Sequence, residues 1–152
     1  MPKIAIIMGS KSDTDVVAKA EAILNEFEIE FETHVISAHR NPNKIKKFAR
    51  GAEERGIEAI IAVAGLAAHL PGVVASLTVI PVIGVPAPGG PLNGQDALYS
   101  IVQMPSGIPV ATVGIGNAKN AALLAVQILG TKDPEFREKM MKFREQFGDD
   151  AV

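Results

Sequence analysis

The sequence contains no cysteine. Disulfides, thiolate nucleophiles and cysteine-based zinc or iron–sulfur sites are therefore excluded, and a reducing compartment is expected, with the cytoplasm as the default. There is no basic tract, and the formal charge is only -2. A nucleic-acid partner is thus not expected, because phosphate contacts need clustered lysine and arginine. No apolar run reaches the roughly 20 residues of a membrane helix, so no membrane partner is expected either. Met1-Pro2-Lys3 leads straight into an apolar segment, without the ordered basic, apolar and small-residue regions of a secretory signal. Internal repeats and low-complexity stretches are also missing.

Several chemical signatures are absent as well. The loop after Met8 lacks the longer glycine-rich span and Gly-Lys-Ser/Thr of a Walker A motif. Gly114-Ile115-Gly116-Asn117 resembles part of a dinucleotide fingerprint, but it lacks the third glycine and follows the last strand rather than the first, which argues against NAD. No histidine pair stands at metal-ligand spacing, no dense carboxylate cluster accompanies the loops, and no Gly-x-Ser-x-Gly elbow occurs. Neither a metal nor an organic cofactor is suggested.

What the chain does have is apolar content, at 47% of 152 residues, enough for one compact domain over 1–152 with its own core. Short apolar runs predict five strands, at Ile4–Met8, Phe31–Ile36, Ile57–Ala64, Pro81–Val85 and Val110–Val113. Between them lie helical patterns. Val16, Val17, Ala20, Ile23, Leu24 and Phe27 form one apolar stripe, residues 92–104 and 117–129 are helical in pattern, and Ala118, Ala121, Ala122 and Ala125 make a smooth face. After Asp133-Pro134, the stripe Phe136, Met140, Phe143 and Phe147 predicts a C-terminal helix over about 134–147. Strand–helix alternation implies an α/β, three-layer flavodoxin-like fold with a five-stranded parallel sheet in the order 2-1-3-4-5.

In such sheets ligands bind beyond the carboxyl ends of the strands, near the point where strand order reverses. The loops after strands one, two and three should therefore converge. Gly9-Ser10-Lys11-Ser12-Asp13 offers a tight turn, two hydroxyls and the free N–H groups of a helix start, which suit a phosphate; Ser12 or Asp13 serves equally as a helix cap. Ser37-Ala38-His39-Arg40-Asn41-Pro42 supplies a guanidinium for phosphate and an imidazole able to move a proton in either direction near neutral pH. Here too a plain alternative stands, with Asn41 capping a helix and Arg40 simply solvated. Gly65-Leu66-Ala67-Ala68-His69-Leu70 lets backbone approach a ligand, and His69 either contacts it or is a hydrogen-bonded structural residue at a helix start. His34 shares a strand face with Glu30 and Glu32 and is expected to be solvated.

Taken in order, Gly9 to Asp13, Ser37 to Pro42, Ala64 to Gly72, Ser100 to Thr112 and Gly116 to Ala121 resemble the N5-carboxyaminoimidazole ribonucleotide mutases of purine synthesis, the bacterial-type class I phosphoribosylaminoimidazole carboxylase catalytic subunits. The likeness spans nearly the whole chain. It implies an octamer that isomerises N5-carboxyaminoimidazole ribonucleotide to the 4-carboxy compound without ATP, metal or organic cofactor. Carried onto these positions, it gives His39 the proton transfers, and gives Ser10 and Arg40, with Ser37, the 5′-phosphate. Asp13 would bind the ribose hydroxyls, with Ser12 assisting, and Ala38 lies among the substrate contacts. Gly65, His69 and Leu70 belong to a loop that would close over the ring and the migrating carboxyl group.

The sequence departs from the family at two places. Where the family loop reads Ala-Gly-Ala-Gly-Gly-Ala-Ala-His, this chain carries Val63 and Leu66 in place of two glycines. A leucine forced to a positive φ would be strained, so loop closure is expected to differ. Ala87-Pro88-Gly89-Gly90-Pro91 is also unusual for the family and has no assigned role. The rivals to a mutase are the related carboxylase that uses free carbon dioxide and a non-catalytic nucleotide-binding module.

Overall fold

The computed structural model describes residues 1 and 3–150. Positions 2, 151 and 152 of the expected 1–152 domain lie outside the described residues. The chain alternates strand and helix through β1 (Ile4–Met8), α1 (Thr14–Glu26), β2 (Phe31–Val35), α2 (Pro42–Arg50), β3 (Ala59–Ala64), α3 (Leu70–Leu77), β4 (Val82–Pro86), α4 (Gln95–Val102), β5 (Ala111–Thr112), α5 (Ala118–Gly130) and α6 (Pro134–Arg144). The five strands form one parallel sheet in the order β2-β1-β3-β4-β5, as the alternation predicts.

Period-two alternation explains the two cores. Ile4, Ile6, Met8, Ile61, Val63, Ile83 and Val85 face α1, α5 and α6, while Ala5, Ile7, Ile60, Ala62, Ala64 and Val82 face the side that carries α2, α3 and α4. β1, β3 and β4 are buried along their whole length, whereas β2 at the edge is only partly covered. The alanine face of α5 is buried as expected; small side chains let α1 and α5 lie side by side on the sheet. Phe136 and Met140 of the C-terminal stripe are buried and Phe143 packs partly, but Phe147 is 70% exposed, in a short 3₁₀ turn at Glu145–Phe147 that follows α6.

Several predicted boundaries move for identifiable reasons. β3 begins at Ala59 rather than Ile57, because the Ile57 N–H turns back to the Ala52 carbonyl. α4 begins at Gln95 rather than Leu92, since Asn93 and Gly94 have φ of 53° and 91°, incompatible with a right-handed helix. β4 begins after Pro81, which has no N–H to give the ladder. β2 ends at Val35, although the Ile36 N–H still reaches the Met8 carbonyl at 2.9 Å. Among the described residues no helix is long and apolar enough to cross a membrane.

Candidate active site

Because β2 and β3 flank β1, the loops that leave their carboxyl ends meet across it. The clearest meeting is between histidines: His39 Nε2 lies 2.8 Å from His69 Nδ1, with the rings edge to face at 86°. Their spacing of thirty positions gives no local sign of contact; the strand order is what joins them. At this distance one ring donates and the other accepts a hydrogen bond. Both histidines are exposed, so the pair is open to a ligand.

The loop after β1 is built as a small hydroxyl cluster. Ser10 accepts from the Ser12 backbone N–H at 3.3 Å and from the Ser12 hydroxyl at 3.0 Å, capping a 3₁₀ turn, Lys11–Asp13, that leads into α1. The capping alternative for Ser12 and Asp13 is not realised, since the cap is Ser10 and Asp13, at the N-cap position of α1, makes no side-chain cap bond. Asp13 is half-buried, and loss of hydration pushes its carboxyl above the ordinary carboxylate value, against a backbone hydrogen bond at Ser10 that lowers it.

In the second loop the Arg40 N–H donates to Ser37 Oγ at 3.2 Å, and the Asn41 N–H to the Ser37 carbonyl at 2.9 Å. Ser37 thereby shapes the turn that holds out His39 and Arg40, with Ala38 half-buried against the core on the α2 side. Asn41 occupies the N-cap position of α2 without a side-chain cap bond, so that alternative is not realised. Arg40 is exposed and makes no ion pair among the described residues.

The third loop joins the other two. His69 occupies the N-cap position of α3, and Leu70, the first residue of that helix, is buried 3.9 Å from where a Cβ on Gly9 would stand. A Cβ on Gly65 would stand 3.6 Å from Ala87 Cβ. Leu66 does adopt a positive φ, of 54°. His34, expected to be solvated, is half-buried with its ring edge-on to Phe48 at 5.2 Å and Nε2 3.1 Å from Glu32, because α2 packs over that strand face. A hollow of about 730 Å³ lies at the opposite end of the strands, lined by Arg50, Glu53, Val79 and Ile108 among others. It gathers none of the expected site residues. The chemistry-bearing groups instead sit on the open carboxyl edge, where an α/β sheet binds ligands.

A family model described as AIR carboxylase matches residues 3–150. The chain belongs to the AIR carboxylase family. Among members of that family, the N5-carboxyaminoimidazole ribonucleotide mutase of Pyrococcus abyssi is 63% identical over 145 residues, which are 95% of this chain and 83% of that protein. The mutase of Saccharolobus solfataricus is 59% identical over 152 residues, covering 100% of this chain and 96% of that protein. In three dimensions, PurE of Treponema denticola superposes with a TM-score of 0.87 at 32% identity, covering 97% of this chain and 92% of that one. The parallel α/β sheet expected from periodicity is thus also the fold shared with a relative at 32% identity.

Proposed function

We infer that this chain is an N5-carboxyaminoimidazole ribonucleotide mutase of purine biosynthesis, moving a carboxyl group from the exocyclic nitrogen to C4 of the imidazole ring. The observation that carries this reading is the contact of His39 with His69 at the loop junction, in a chain 59% identical over its whole length to a mutase. A binding module needs no proton carrier there, and an isomerisation of this kind needs one twice.

The reaction first requires a proton on the exocyclic nitrogen, so that its bond to the carboxyl carbon breaks and carbon dioxide departs. C4 then attacks the carbon dioxide, and the proton on C4 must leave for the ring to regain aromaticity. His39 gives the first proton and takes the second, so the cycle ends as it began. His69, in contact with His39, fixes the orientation of its imidazole and provides a neighbouring nitrogen to which the proton can move. Ser10 and Ser37 supply hydroxyls for the 5′-phosphate, with Ser12 assisting from the loop of Ser10, and the uncommitted guanidinium of Arg40 supplies charge. Asp13 receives the ribose hydroxyls. Gly65, Ala38 and Leu70 bring backbone and apolar surface against the ring. A closed loop keeps carbon dioxide beside C4 and makes its recapture effectively unimolecular.

The assembly that fits this reading is a homo-octamer in the cytoplasm with a small ribonucleotide as substrate, and a light-scattering mass equal to one 16.0 kDa chain would refute the octamer. Activity is tested by supplying the N5-carboxy nucleotide in buffer depleted of carbon dioxide and following the C4-carboxylated product. Product formation is expected. Product only from aminoimidazole ribonucleotide with bicarbonate would make the chain a carboxylase, and no product from either would leave a binding module.

A further inference from the structure

Leu66 occupies backbone space that favours glycine, with φ of 54°, and leaves 56% of its surface exposed. Neither feature helps the chain fold, and a glycine at this position would avoid the strain. What the leucine side chain does is lie over Gly90: a Cβ on Gly90 would stand 2.6 Å from Leu66 Cδ2, so a side chain there would push the leucine off its seat. Gly90 is itself left-handed, with φ of 67°.

The surrounding contacts anchor the segment that leads to Gly90, whose own carbonyl accepts from the Asn93 N–H at 3.3 Å. The Ala87 N–H donates to the Ala64 carbonyl at 2.9 Å, carrying the β3–β4 ladder beyond the strand ends, and Gly65 packs on Ala87. Pro88 has a rigid φ and sits against Gly116, whose N–H donates to the Pro86 carbonyl at 2.7 Å. The Ala87–Pro91 segment is therefore the seat on which the 65–70 loop rests. Three residues after Leu66 comes His69, held by its own N–H to the Ala67 carbonyl at 2.8 Å, in contact with His39. The loop is pinned at one end by the histidine pair and at the other by Leu66 on Gly90.

We propose that Leu66 is a positioning residue, a latch whose side chain holds the 65–70 loop on Gly90 so that released carbon dioxide stays over the ring until C4 captures it. The proposal rests on the decarboxylation and recarboxylation route given above. In that route, protonation at nitrogen and cleavage of its bond to carbon yield aminoimidazole ribonucleotide and carbon dioxide. With the latch open, these two products escape before the bond from C4 forms.

The test is a partition measurement. Wild type and the Leu66→Met, Leu66→Ala and Leu66→Gly variants turn over the N5-carboxy nucleotide in buffer stripped of carbon dioxide. Aminoimidazole ribonucleotide released is compared with C4-carboxylated product formed, after subtraction of the enzyme-free breakdown. Methionine keeps the reach to Gly90, so Leu66→Met should partition like wild type. Alanine and glycine lose it, and both should release several-fold more uncarboxylated nucleotide per product, with KM within about twofold of wild type. Glycine also relieves the left-handed strain, so Leu66→Gly should melt no lower than Leu66→Ala while leaking as much, which separates loop positioning from stability. Unchanged partition in the alanine and glycine variants would overturn the latch, as would a methionine variant as leaky as alanine. His39→Asn, run alongside, tests the underlying reading: full turnover there would sink the route itself, whereas lost turnover with tight Leu66 variants would sink only the latch.

Discussion

His39 Nε2 and His69 Nδ1 are 2.8 Å apart, although they reside on loops that leave different strands. An N–H···N bond at this distance needs one nitrogen protonated and the other bare, so under the proposed mechanism the two rings would act on one proton as a unit. His39→Asn should keep nucleotide affinity while kcat falls by about two to four orders of magnitude, the usual range for a lost acid–base group. His69→Phe, which keeps a ring but removes its nitrogens, should lower kcat less. The double variant should be no slower than His39→Asn alone, because residues that act as a unit are not additive. Steady-state kinetics on the four proteins decides it; multiplicative losses would mean that the histidines work independently.

Arg40 presents its guanidinium to solvent with its backbone N–H committed to Ser37 and no carboxylate partner among the described residues. If it grips the phosphate, Arg40→Ala should weaken binding by about 1.5–3 kcal/mol, or roughly one to two orders of magnitude in Kd. Titration calorimetry should also show a shallower dependence of affinity on salt, since an exposed charge is screened. Equal affinity and equal salt dependence in the variant would take Arg40 out of the phosphate site.

The sheet was readable in the sequence because its central strands are apolar at nearly every position, and because helices of period 3.6 separate them. Strand ends were not, since they depend on where single N–H groups go: Ile57 looks like strand, yet its N–H closes the turn after α2. Leu92 belongs to a helical pattern, yet Asn93 and Gly94 turn left-handed before the helix starts. At the site, loop chemistry picked out His39 and His69, and the strand order predicted that their loops converge. The direct contact between the two rings is tertiary and leaves no trace in local spacing. Leu66 was visible as an anomaly, but its counterpart at Gly90 could be recognised only once the two loops were side by side.

Asp13 combines a proposed binding role with a cost to the fold. Burial raises its pKa above the ordinary 3.8, so ionising it is harder in the folded protein than in the unfolded chain. The resulting destabilisation is absent below 3.8, grows as the pH climbs from there to the raised value, and is fully present above it. Asp13→Asn should therefore melt higher than wild type at pH 7, with the gap closing as the pH is taken below the ordinary carboxylate value. The same variant should bind substrate less tightly, having lost a charged acceptor for the ribose hydroxyls. Melting curves across pH together with a binding titration test both halves; a variant that melts lower at pH 7 would show that the carboxylate stabilises the loop instead.

Gly84, in the middle of β4, sets how closely two helices approach the sheet. A Cβ there would lie 2.4 Å from Ile101 Cγ2 on α4, 3.1 Å from Val110 Cγ1 and 3.3 Å from Pro71 Cβ on α3. Ile101 is fully buried and has no free space to swing into, and Pro71 is fixed in the first turn of its helix. Gly84→Ala should thus destabilise by about 1–3 kcal/mol, the usual cost of overpacking a filled core. Ile101→Ala opens a cavity at the same place, which the new methyl group would partly refill. The double variant should then be more stable than the sum of the two single losses predicts. Denaturant unfolding of the four proteins measures this coupling directly. Strict additivity would mean that the α4 helix backs away from the sheet to admit the methyl group, and that Gly84 does not dictate its distance.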